Sequence, residues 1–93
     1  MTRDDEARLL AGLPRGLFIG GEWIDAEGGA TFAVADPSTG RTLVEIADAS
    51  PGDGIRALDA AVAAQEAWAA TAPRARGEIL RRAFDLVQER RED

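Results

Sequence analysis

The sequence contains no Cys, His, Lys, Tyr or Asn. The residues that most often serve as nucleophiles, general bases, metal ligands and Schiff-base formers are therefore missing. Only Asp and Glu are left to move protons near neutral pH. No residue is assigned a catalytic, cofactor-binding or metal-binding role on these grounds. Without cysteine no disulfide framework is possible, and nothing in the chain requires an oxidising compartment. Met1 to Leu10 carries Asp4, Asp5 and Glu6 and no apolar run, unlike a secretory signal. No stretch approaches the roughly 18 apolar residues of a membrane span. The expectation is a cytoplasmic protein without membrane association. What is present is arginine, which supplies all 11 bases against 17 acids, a formal charge of −6. That field repels phosphates and argues against a nucleic-acid partner. At 93 residues the chain is one domain at most.

Periodicity divides the chain in two. Residues 1–16 hold a short apolar patch, Leu9, Leu10 and Leu13, interrupted by Gly12 and Pro14, and read as a weak helical turn or a flexible N-terminal arm. Leu17-Phe18-Ile19 and Glu22-Trp23-Ile24 are short β-type runs around Gly20-Gly21, a dipeptide suited to a primed hairpin turn. Thr31 to Ala35 and Thr42 to Ala47 alternate as strands, with Asp36-Pro37-Ser38-Thr39-Gly40 as the turn between them. These segments predict a β-meander.

The second half predicts two helices. Ser50-Pro51-Gly52-Asp53 supplies an N-cap serine, proline at the first helical position and an acid at the third. Ile55, Leu58 and Val62 follow at helical spacing, widened by Ala61, Ala64 and Trp68. Thr71-Ala72-Pro73 breaks the pattern, after which Ile79, Leu80, Ala83, Phe84 and Val87 form one apolar face. Glu78–Arg82 and Arg81–Asp85 are spaced as i,i+4 pairs on the other side. No Gly, Asn or Pro closes this helix, and its last residues place acids where the macrodipole favours cations, which predicts a helix that continues past Asp93. The fold class expected is α+β, a β-hairpin or meander followed by two antiparallel helices.

The candidate sites dissolve into structural roles. Glycines 12, 16, 20 and 21 lack the G-x-G-x-x-G spacing of a dinucleotide turn. Gly52 and Gly54 around Asp53 lack the alternating acids of a calcium loop. Ser38 and Ser50 have no base to activate them, so turn and capping roles suffice. Arg81, Arg82, Arg90 and Arg91 are interleaved with Glu78, Asp85, Glu89 and Glu92 and read as a self-neutralising solvated face. Trp23 and Trp68 sit in amphipathic elements and read as packing anchors. An apolar face left uncovered by two helices and a few strands implies a partner or a missing remainder of the same chain.

Taken together, these blocks resemble the opening of the aldehyde dehydrogenase superfamily. The resemblance is carried by Leu17-Phe18-Ile19-Gly20-Gly21-Glu22-Trp23-Ile24-Asp25-Ala26, by Phe32 through Asp36-Pro37-Ser38-Thr39-Gly40, by the Ala-rich helix ending near Trp68, and by Thr71-Ala72-Pro73-Arg74 and Arg76-Gly77-Glu78-Ile79-Leu80-Arg81-Arg82-Ala83. Within the superfamily the wording is most similar to bacterial succinate-semialdehyde dehydrogenases. Two departures, Gly20 and Asp36 where the family more often has Asn, keep turn chemistry.

The resemblance implies that residues 17–93 are an incomplete N-terminal part of a cofactor-binding domain in a larger α/β enzyme. That parent would be homo-oligomeric and use NAD or NADP, with no metal. In such enzymes a Cys thiolate attacks the aldehyde, hydride passes to the cofactor, a Glu activates the water that releases the acid, and an Asn helps hold the oxyanion. No position here matches those residues, so this chain alone is expected to bind no cofactor and catalyse nothing, its partner being the remainder of the dehydrogenase chain. The other reading is a small non-catalytic structural or interaction protein using the Ile79/Phe84 face.

Overall fold

The structure, a computed structural model, describes residues 2–93. It has the expected α+β composition, with helices α1 (Arg3–Ala11), α2 (Pro51–Ala70) and α3 (Pro73–Glu89) and strands β1 (Leu17–Ile19), β2 (Glu22–Ile24), β3 (Thr31–Ala35) and β4 (Thr42–Ala47). A short 3₁₀ turn occupies Glu27–Gly29. The chain divides into two compact units at Ala61/Val62, within α2.

In the first unit, α1 forms where a weak turn or arm is expected. It starts at a capping box that apolar periodicity does not reveal. The Asp5 amide donates to Thr2 Oγ1 at 3.2 Å, and the Thr2 amide donates back to Asp5 Oδ2 at 3.1 Å. The carboxyl of Asp5 is held below its ordinary pKa by that amide and by the Thr2 hydroxyl.

The first hairpin forms as its sequence predicts. Leu17 faces Ile24, Phe18 faces Trp23 and Ile19 faces Glu22, with φ of 62° at Gly20 and 82° at Gly21. Two successive positive φ angles define the primed turn whose twist matches paired strands. The second hairpin pairs Phe32 with Ile46 and Val34 with Val44, so both apolar pairs share a face. Its turn is tied by Asp36, whose Oδ1 accepts from the Ser38 hydroxyl at 2.7 Å and the Ser38 amide at 2.8 Å.

The four strands make two separate two-stranded sheets, not one meander. Between β2 and β3 the chain turns through Glu27–Gly29, where Gly28 and Gly29 are left-handed, and this diverts β3 from the edge of β2. The two hairpins are linked instead by an Ala47 amide bonded to the Arg15 carbonyl at 2.8 Å.

In the second unit, Thr71 ends α2, its hydroxyl donating to the Ala67 carbonyl at 2.8 Å. Pro73 then begins α3. The helix ends at Glu89, short of the expected continuation, where the Arg90 amide bonds to the Leu86 carbonyl. Along its polar side Arg81 pairs with Asp85 at 3.4 Å as expected, whereas Glu78 pairs with Arg74 at 3.6 Å and not with Arg82. Both pairs are exposed and contribute only tenths of a kcal/mol.

Candidate functional site

Two features of the fold have functional content, a buried polar joint and a set of uncovered apolar faces. The joint lies at the start of α2. Asp53 is 1% exposed, and with Ala26 it makes up the buried set among the described residues. Its Oδ2 accepts from the Ser50 amide at 2.9 Å and from the Glu27 amide at 3.0 Å, while Oδ1 accepts from the Arg56 guanidinium. These donors, the Glu27 amide foremost, hold the Asp53 carboxyl far below its ordinary pKa. The Ser50 hydroxyl accepts from the Asp53 amide at 3.1 Å and donates to Glu27 Oε2 at 2.8 Å. The Ser50–Asp53 half of this arrangement is the predicted capping box. The half contributed by Glu27 is not visible in the sequence, because it joins positions 26 residues apart.

This geometry also decides whether the amino end of α2 could receive a cofactor phosphate. It could not, because the amides of Ser50 and Asp53 are already engaged and the carboxylates of Glu27 and Asp53 occupy the place an anion would take. Gly20 and Gly21 are spent on a hairpin turn. Neither place therefore fits the phosphates of a dinucleotide.

Elsewhere, an open cleft of about 500 Å³ separates α1 from the β3–β4 turn. Arg3, Arg15 and Arg41 line it together with Asp4, Glu6 and Asp36, so its charges cancel and it selects no ion. Among the described residues no three His, Cys, Asp or Glu side chains gather as a metal site, and no helix is long and apolar enough to cross a membrane.

The apolar faces are the larger feature. On α3, Ile79, Leu80, Phe84 and Val87 are all more than half exposed. The stripe that reads as core-forming in the sequence is therefore open to solvent among the described residues. Ile55, Leu58 and Val62 on α2 are similarly open. The two tryptophans, expected to anchor packing, behave in the same way. Trp23 is 57% exposed and stacks on Phe18 with ring centroids 4.9 Å apart, and Trp68 is 41% exposed. For Trp23 the physical reason is size, since two short hairpins have too little surface to enclose an indole of their own, and Trp68 lies on a helix whose apolar side is open along its length. Isolated exposed apolar residues are ordinary, but a continuous helical stripe is the mark of a surface built to be covered.

The sequence model of the aldehyde dehydrogenase family matches residues 23–93, from Trp23 in β2 to the end of the chain. The match takes in the second hairpin, the Asp53 joint and both long helices with their open faces. With about three quarters of its length so matched, the chain belongs to the aldehyde dehydrogenase family.

Proposed function

We propose that this chain is the N-terminal scaffold portion of an NAD(P)-dependent aldehyde dehydrogenase, a cytoplasmic homo-oligomer that oxidises an aldehyde to its carboxylic acid, with succinate semialdehyde as the substrate. The observation that carries the reading is the open face of Ile79, Leu80, Phe84 and Val87 on a helix lying inside the family match. A scaffold helix that presents its apolar stripe outward needs a further surface to bury it, and the remainder of the dehydrogenase chain is that surface in this reading. The chain itself brings no thiol nucleophile, so the thiohemiacetal on which the chemistry depends has no residue here to form on.

The test has two arms. The intact gene product is assayed for aldehyde-dependent reduction of NAD and of NADP across a panel of aldehydes. The expected result is turnover with the highest kcat/KM for succinate semialdehyde. A preference for a different aldehyde would remove the substrate assignment and leave the family role, whereas a reading frame with no catalytic region after Asp93 would remove the enzyme role. In the second arm the purified 93-residue chain is expected to show no activity with either cofactor. Size-exclusion and circular dichroism on it test the small standalone protein as the alternative, which requires a monodisperse, cooperatively melting species.

A further inference from the structure

Both buried residues among those described, Ala26 and Asp53, belong to one place, where the turn at Glu27–Gly29 meets the first turn of α2. The groups there form a closed circuit. Glu27 and Ser50 both donate their amides to the same oxygen of Asp53, at 3.0 and 2.9 Å, and the Ser50 hydroxyl returns to the Glu27 carboxylate at 2.8 Å. The approach is close enough that a Cβ placed on Gly52 would lie 3.2 Å from Glu27 Oε2. Each member thus holds another, and the helix cap and the turn share one acceptor.

We propose that this circuit is a latch, a single cooperative device that fastens the β2–β3 connection to the amino end of α2 and that opens and closes as a whole. The argument rests on the burial of the carboxylate. With 1% of Asp53 exposed, no water stands ready to replace a donor that leaves. A buried charge deprived of one partner is strongly disfavoured, so the amide of Glu27 does not depart while Asp53 stays covered. Opening therefore admits water to both amides in the same event. The β3–β4 ladder shares no bond with the circuit and has no reason to open with it. The latch is a property of this chain's own residues and stands apart from the identity of whatever covers α3.

Hydrogen–deuterium exchange with mass-spectrometric readout on the intact gene product tests it. Peptides covering residues 25–30 and 48–54 are expected to share one opening free energy once each amide's intrinsic exchange rate is divided out, separate from that of β3 and β4. Asp53→Asn, which turns an acceptor toward its donors into a partial donor, is expected to speed exchange in both segments together by about tenfold or more while β3–β4 keeps its protection. Ser50→Ala, which removes the hydroxyl bridge and leaves the carboxylate, is the second variant should Asp53→Asn not fold, and it is expected to accelerate both segments by a common factor. Acceleration confined to residues 48–54, or different opening free energies for the two segments in the unsubstituted protein, would overturn the latch.

Discussion

At the scale of single residues, three carboxylates of this protein do structural work by accepting from nearby amides, hydroxyls and a guanidinium. Asp5, Asp36 and Asp53 each have a folded pKa lowered by hydrogen bonds to the charged form. In the unfolded chain an Asp titrates near about 4. A depressed folded value means that the stabilisation is complete above the unfolded pKa and is lost as pH falls toward the folded one. The thermal midpoint of the 93-residue chain should accordingly stay level from neutral pH down to about 5 and fall steadily below about 4. Asp53→Asn should lower the midpoint at neutral pH and flatten the acid-side fall, since the Glu27 amide and Arg56 then face a group that no longer titrates. Asp5 and Asp36 keep some slope in the variant. Thermal melts at a series of pH values on both proteins measure this, and an unchanged acid slope in the variant would remove Asp53 from the account.

At the scale of elements, the two long helices each carry a glycine with open space around it, Gly54 in α2 and Gly77 in α3. Glycine in a helix interior costs about 0.5–1 kcal/mol relative to alanine. In the 93-residue chain both Gly54→Ala and Gly77→Ala should therefore raise stability by about that amount. Gly77 is set apart by its position, since helical spacing puts it in line with Leu80 and Phe84 on the apolar stripe. If that stripe is buried in the intact gene product, the added methyl is overpacked there and Gly77→Ala should destabilise by about 1–3 kcal/mol. Denaturant unfolding of both substitutions in both proteins separates these outcomes.

The same elements show which parts of the fold were legible. Gly20-Gly21, Asp36-Pro37-Ser38-Thr39-Gly40 and Ser50-Pro51-Gly52-Asp53 could be read because each motif is closed by bonds within a few residues. The division into two hairpins, and the arrival of Glu27 at Asp53, could not be read because they depend on where a loop carries the chain across 26 positions. The capping box of α1 was within reach as Thr2-x-x-Asp5, but it is masked by the sparse apolar pattern around it. Helical spacing marks the apolar faces of α2 and α3, and what periodicity leaves open is the surface that receives them.

At the scale of the whole molecule, the described residues enclose almost nothing apolar, with Ala26 the single buried hydrophobic side chain. Leu80 and Val87, 64% and 66% exposed, give the cleanest test of what that means. In the 93-residue chain, Leu80→Glu and Val87→Glu should change stability by less than about 0.5 kcal/mol, as surface substitutions do. They should also reduce self-association. In the intact gene product each would bury an unpaired carboxylate, and the expected outcome is loss of soluble, assembled protein. Thermal melting and size-exclusion of the four variants beside their unsubstituted parents decide the matter, and equal tolerance in both contexts would mean that the face stays open in the intact gene product as well.

The stacked, half-open Phe18 and Trp23 have an optical consequence. With no tyrosine in the chain, near-ultraviolet emission comes from two indoles alone, and one lies in each compact unit, Trp23 in the first and Trp68 in the second. Trp23→Phe leaves a reporter of the helical unit and Trp68→Phe a reporter of the hairpins. Since both rings meet solvent in this chain, each emission should shift to the blue wherever its ring becomes covered. The protein thus carries its own pair of colour gauges, one for each unit.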